Sequence, residues 1–325
     1  MLRPGPGQQG TRARMDIILH LGAHRTATTS LQHYAQARAA ALAADGLAVW
    51  GPPVTRDGLL AGVLPAPGEH PAAARAAHAC GRIALRVAQA REAGVTRLLV
   101  SDENMLGAPR TCLRHHRLYP GAGARVARLA HAFGGRITRA VLSIRAQDAW
   151  WASVLAYSVA RGHRLPSAGD LDRLVTAGRQ WRDVIADVAC ALPGAGILIL
   201  PHEQFADRPA ARLAWMTGTP DTGSEAGTEW RGRAPDLSAL RRAVANRGGD
   251  AARLPGGRGR WQPFGAAQAA ALKEAYEDDL FWLRAGADGL ARLAGETGPI
   301  SAGQQPRDGQ ATRGQDDDIE ERHLA

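Results

Sequence analysis

Asp16-Ile17-Ile18-Leu19-His20-Leu21-Gly22-Ala23-His24-Arg25-Thr26-Ala27-Thr28-Thr29-Ser30-Leu31-Gln32 is the stretch from which the fold can be read. The apolar run from Ile17 to Leu21 predicts a buried strand of a parallel sheet. It breaks at Gly22, and a hydroxyl-rich turn leads straight into a helix. That helix would bury Leu31, Tyr34, Ala35 and Leu42, spaced by three, four and seven, and stop at Gly46. Strand, small-residue turn and helix N-terminus together make an anion site. The first-turn N–H groups have no partner within the helix, and the helix dipole adds partial positive charge there. Thr26, Thr28, Thr29 and Ser30 are expected to add hydroxyl donors, and Arg25 a charged fork suited to phosphate or sulfate.

Four more apolar runs read as strands: Leu47–Trp50, Arg97–Ser101, Thr138–Ile144 and Ile197–Leu200. Helical patterns lie between and after them, at Leu31–Ala44, Pro71–Ala93, Ala124–Phe133, Ala149–Ala160, Leu171–Ala191, Leu237–Asn246 and Ala266–Leu283. Strands alternating with helices predict an α/β three-layer fold of P-loop type: a central parallel sheet of about five strands, flanked by helices, with a helical C-terminal part. Ligands of such sheets bind beyond the carboxyl ends of the strands. The residues there are Ser101-Asp102-Glu103-Asn104, Arg145 with Asp148 as N-cap of the next helix, and Pro201-His202-Glu203-Gln204-Phe205.

The first loop is not a nucleotide-triphosphatase cradle, which needs Gly-x-x-x-x-Gly-Lys-[Ser/Thr]. Its basic residue precedes the hydroxyls, and the second glycine is missing. Gly22-Ala23-His24-Arg25-Thr26-Ala27-Thr28-Thr29-Ser30 instead resembles the sulfotransferase family, whose first strand is followed by Gly-x-x-[Lys/Arg]-[Thr/Ser]-[Gly/Ala]-[Thr/Ser]-[Thr/Ser]. Val141-Leu142-Ser143-Ile144-Arg145, with Ser153 eight residues on, resembles that family's second signature, lacking its frequent proline after the arginine.

The resemblance spans roughly residues 16–290 and implies transfer of a sulfuryl group from 3′-phosphoadenosine-5′-phosphosulfate (PAPS) to a hydroxyl or amine of an acceptor, such as a carbohydrate or small metabolite. It implies that Gly22–Ser30 bind the 5′-phosphosulfate and that Arg145 and Ser153 bind the 3′-phosphate. Arg25 would offset charge on the leaving oxygen, and Glu103 would be the base, with Asp102 and His24 as competitors. No metal is implied. Tyr276-x-x-Asp279-Leu280 and His202-Glu203 resemble further family elements and are expected to be structural. The acceptor would be shaped by residues 52–80, 105–123 and 161–180.

Composition sets the outer bounds. A chain of 325 residues, 45% hydrophobic and 22% charged, is ordinary for a globular protein that can bury a full core. Its formal charge of +9 favours an anionic ligand. Only Lys273 among the 40 basic residues is lysine, so the identity of Arg25 carries less information than its charge. The arginines are scattered without a basic, aromatic-interleaved stripe, which argues against nucleic acid as partner.

Three unclustered cysteines, Cys80, Cys112 and Cys190, predict neither a disulfide framework nor a zinc site and fit a cytoplasmic location. No run is long enough to span a membrane. Residues 1–14 lack the apolar segment of a signal peptide and are expected to be a disordered leader, with Met15 as the start. Residues 15–297 then form one domain, and 298–325 a disordered polar tail. Two other functions remain at this point: a P-loop kinase, in which Asp102 would hold magnesium, and a nonenzymatic nucleotide-binding relative.

Overall fold

Burial and strand propensity coincide at all five apolar runs. In a computed structural model describing residues 15–64, 73–219 and 231–295, they form β1 (Asp16–Gly22), β2 (Leu47–Trp50), β3 (Arg97–Ser101), β4 (Ile137–Ile144) and β5 (Gly196–Pro201). A two-residue edge strand, β6 (Arg292–Leu293), completes a sheet of six, one more than expected and too short to leave a sequence signal. The expected leader and tail lie outside the described residues.

Every strand pairing is parallel, in the order β2-β3-β1-β4-β5-β6. The chain leaves β1 for one edge, returns through β3, and then crosses to β4 on the other side of β1. That reversal opens a crevice above the carboxyl end of β1, where ligands of doubly wound sheets bind.

The helices are α1 (Thr28–Ala37), α2 (Ala39–Ala44), α3 (Pro52–Val54), α4 (Ala73–Glu92), α5 (Pro109–His115), α6 (Ala122–Ala132) and α7 (Gln147–Ala160). They continue as α8 (Ala168–Thr176), α9 (Trp181–Ala191), α10 (His202–Phe205), α11 (Pro209–Thr217), α12 (Leu237–Ala245) and α13 (Ala266–Arg284). Two expected helices are each split in two. Leu31–Ala44 turns at Arg38, whose N–H bonds back to Ala35 O at 3.3 Å. Leu171–Ala191 breaks where Gly178 takes φ +67°, a conformation that suits glycine, and α9 restarts with a Gln180–Asp183 capping box. Ala146, not Asp148, is the N-cap of α7, because Asp148 already lies in the first turn and approaches Lys273 at 3.9 Å.

Alternation along β1 distributes its side chains to two layers. Ile17, Leu19 and Leu21 pack with Ile83 and Val87 of α4, Val126 and Leu129 of α6, and Val184 and Val188 of α9. Ile18 faces the opposite layer, with Leu31 and Ala35 of α1, Leu42 of α2 and Leu213 and Met216 of α11. Each such fully buried side chain stabilises by about 1.5–3 kcal/mol. His20, on that second face, is wholly buried with its Nδ1 2.8 Å from Ser101 Oγ. No helix among the described residues is long and apolar enough to cross a membrane.

α13 fastens the C-terminal part to the strand ends. Tyr276 OH donates to Glu203 Oε2 at 2.7 Å, and Glu203 Oε1 accepts the Ala146 N–H at 3.0 Å. Asp279, fully buried, accepts the Trp181 N–H at 2.8 Å and Arg182 Nε–H at 2.8 Å, capping α9 from outside it. Both motifs therefore tie α13 to the strand ends. Asp279→Ala strips that cap and is expected to lower the unfolding free energy by about 2 kcal/mol in a urea titration. An unchanged midpoint would show that the cap contributes nothing.

A candidate anion site above β1

Gly22 ends β1 at φ +83°, and a Cβ there would come within 2.9 Å of Glu103 Cβ. Only glycine permits that approach, which brings the loop after β3 against the loop after β1. Arg25 (φ +64°) and Ala27 (φ +61°) are both left-handed, while Thr26 between them is not. Alternation of this kind turns successive N–H groups toward one point, a nest for an anion at the start of α1. Holding two non-glycine residues there costs on the order of 1–2 kcal/mol each.

Bonds from several elements hold the loop against that strain. Thr26 Oγ1 and Thr28 Oγ1 both donate to Ala23 O, at 2.6 and 3.2 Å. These two buried hydroxyls therefore brace the loop from within, which corrects the expectation that they face a ligand. Ser30 Oγ accepts the Arg231 N–H at 3.0 Å and keeps its own proton. Ala23 N–H donates to Ser143 O at 2.9 Å, and Trp150 Nε1–H donates to His24 O at 2.8 Å. Trp181 Nε1–H reaches Arg145 O at 2.8 Å, and the two indoles meet edge to face.

Arg25 and Arg145 converge at the crevice. Arg145 Nη1 donates to Arg25 O at 2.9 Å, and Arg25 Nε donates to Ser153 Oγ at 3.0 Å. The expected trio of Arg145, Ser153 and loop is thus assembled, but Ser153 bonds to Arg25, not to Arg145. Arg25 Nη1 also donates to Gly232 O at 2.7 Å, and its guanidinium lies 5.0 Å from the Tyr157 ring centre. Burial brings the Arg25 pKa down to about 10, helped by Arg145, Arg161 and Arg260. Like charges crowd at this place, offset on the Arg145 side by Glu203 and Asp148, and such crowding suits an anion.

Beneath the loop lies a residue that sequence reasoning missed. Arg212 is 2% exposed and donates to Ala27 O at 3.1 Å and Ser143 Oγ at 3.2 Å. Burial alone brings its pKa down to about 10, with no carboxylate beside it. Its signal was present, since Arg212 shares a helical face with Pro209, Leu213 and Met216, but an arginine-rich chain hides it. Arg260 was missed as well, and His202, read as structural, lies within reach of the same charges. His202 is held neutral, its pKa pushed down to about 3 by burial and then by Arg145, Arg212 and Arg260. His20 is lowered too, by burial and then by Arg212.

The acidic residues after β3 separate into two roles. Asp102 is buried, and both oxygens are taken: Oδ2 by Thr55 Oγ1 (2.6 Å) and Arg56 Nε (3.0 Å), Oδ1 by Arg56 Nη2 (2.7 Å) and the Asn104 N–H (3.0 Å). Burial would raise its pKa, but the bonds from Arg56, Thr55 and Asn104 outweigh this and lower it. Glu103 is less enclosed, accepting from Arg56 Nη2 at 3.0 Å and Gln32 Nε2 at 3.3 Å. His24 is tied on both nitrogens. Its backbone N–H donates to Tyr119 OH (2.8 Å), which leaves the phenol proton for Nδ1 (3.0 Å) and assigns the ring proton to Nε2, facing Asn104 Oδ1 at 3.2 Å. No cluster of three potential metal ligands occurs among the described residues.

Comparison of the chain with protein-family models, curated proteins and solved structures gives no match. The chemistry of the site rests on its own geometry.

Two measurements probe this electrostatic arrangement. Arg212→Met strips Ala27 O and Ser143 Oγ of their donor and is expected to lower the unfolding free energy by about 1–3 kcal/mol. It should weaken the thermal stabilisation by inorganic phosphate about tenfold or more in concentration; an unaltered phosphate response would remove Arg212 from the site. The histidines give a pH signature. Unfolded, they take up a proton near pH 6.5; folded, His20 and His202 do not, so the unfolded state binds more protons and stability falls with acidification. The loss is about 1.4 kcal/mol per pH unit for each histidine below that point. His202→Gln should remove one histidine's share of the slope between pH 6.5 and 5; a slope equal to the parent's would contradict the assignment.

Proposed function

We propose that the chain is a sulfotransferase that takes a sulfuryl group from PAPS and passes it to a hydroxyl or amine of an acceptor. The observation that carries this reading is the meeting of two anion-binding features at one crevice. The nest at Arg25–Ala27 suits one phosphate-like group, and Arg145 with Ser153 suits a second. A donor bearing a 5′-phosphosulfate and a 3′-phosphate has two such groups. Ser153 receives a bond from Arg25 Nε, so its own proton is available to a phosphate oxygen. The guanidinium of Arg145 makes one bond to Arg25 O and has further N–H groups to offer.

Donor binding supplies a sulfur already bonded to a good leaving group. The acceptor oxygen forms a bond to that sulfur while the bond from sulfur to the 5′-phosphate oxygen breaks, and adenosine 3′,5′-bisphosphate departs with the electron pair. Arg25 and the N–H groups of the nest offset the negative charge that grows on the departing oxygen. Arg25 stays protonated even with its lowered pKa, so its part is electrostatic and not proton transfer. Glu103, beside Gly22 at the mouth of the loop, takes the acceptor proton. Asp102 is unsuited to that task and to holding magnesium, because all its lone-pair directions face Arg56, Thr55 and Asn104. That counts against the kinase alternative. A nonenzymatic relative would keep the two anion features and lose only the transfer.

Thermal melting tests the reading. At 100 times its dissociation constant a ligand stabilises by about 2.7 kcal/mol, so adenosine 3′,5′-bisphosphate should raise Tm by roughly 5–10 °C. ATP with magnesium should do much less. A response to ATP and none to the bisphosphate would overturn the proposal. Arg145→Ala should abolish the advantage of the bisphosphate over 5′-AMP, and equal weakening of both would refute its placement on the 3′-phosphate. Glu103→Gln should cut turnover on PAPS at least about 100-fold, the usual contribution of a general base, while leaving the melting response intact.

A further inference from the structure

A cavity of about 490 Å³ opens between α5, the end of α7 and the start of α8. Its size is that of a small-molecule site. Leu113, Leu155 and Leu174 line it and give it an apolar floor, while Arg110, Arg114 and Arg164 stand among its walls. It does not share the face of α7 used by the loop. Ser153 and Tyr157, four residues apart, both face Arg25, whereas Leu155 lies about 200° round the helix from Ser153.

The charges of this cavity do not balance. Asp170 is the one carboxylate among the lining residues. It is already bound by Arg164 at 2.6 Å and Arg173 at 2.5 Å, with His116 at 3.6 Å. Arg110 has one bond, from Nη2 to Arg161 O at 3.3 Å. Neither Arg110 nor Arg114 meets a carboxylate among the described residues. His163 registers the crowding: its pKa is lowered by burial and then by Arg164 and Arg110. An apolar floor under uncompensated guanidinium groups matches one kind of ligand, an organic anion with a hydrocarbon body.

We propose that this cavity is a second binding site, which takes a small organic anion with its carboxylate between Arg110 and Arg114 and its apolar body over Leu113, Leu155 and Leu174. The site is independent of the nucleotide reading of the loop.

Calorimetric titration of the full chain with octanoate and with octanol tests it. Octanoate is expected to bind at least tenfold more tightly than octanol, and the preference should shrink as salt is raised. Arg110→Gln and Arg114→Gln should each weaken octanoate about tenfold, the loss of one charge-assisted contact. Both side chains belong to exposed residues, so the parent Tm should be retained and either variant alone suffices. Equal binding of octanoate and octanol, undiminished octanoate binding in both single variants, or no octanoate binding at millimolar concentration would each overturn the proposal.

Discussion

A positive charge enclosed in protein without a negative neighbour is the constraint around which the crevice is built. Arg212 has lost its water and gained two neutral acceptors, Ala27 O and Ser143 Oγ. Such a residue is costly to bury and is tolerated where something else repays the cost. Here it ties together the end of the loop and the strand beside it, through the same Ser143 whose carbonyl accepts from Ala23. The left-handed residues of the loop are thus held at both ends. Rigidity of that kind places N–H groups before any ligand arrives, so none of the binding energy is spent on ordering them.

A second layer of restraint comes from aromatic side chains. Trp150 and Trp181 pack against each other and each spends its N–H on a carbonyl of the site, His24 O in one case and Arg145 O in the other. An indole combines a large buried surface with one directed donor, so packing and position are fixed together. The core and the crevice are therefore not separable parts. A change in how these rings pack would move both anion features relative to each other.

Much of this was legible in the chain. The five strands were visible because they are apolar and mostly bounded by turn residues, and β6 was not, because two residues carry no periodicity. The loop could be read because its residues are contiguous. Arg145 and Ser153 were singled out by a resemblance to the second sulfotransferase signature, not by any local pattern of their own. What escaped notice depends on contacts between distant segments. Arg56 reaches Asp102 and Glu103 from a turn with no repeating pattern, and it decides which carboxylate stays available. Arg212 and Arg260 are ordinary arginines in a chain whose 40 lysines and arginines include one lysine, so their identity signals nothing until the fold places them. Helix splitting at Arg38 and Gly178 likewise follows from packing and backbone geometry that periodicity alone does not report.

The straps from α13 also set an order of events during synthesis. Asp279 caps a helix that begins 98 residues earlier in the chain, and Tyr276 reaches back 73 residues to Glu203. Strands β1 to β5 emerge from the ribosome well before either partner exists. A nascent chain can therefore collapse its sheet first and receive these two straps only late.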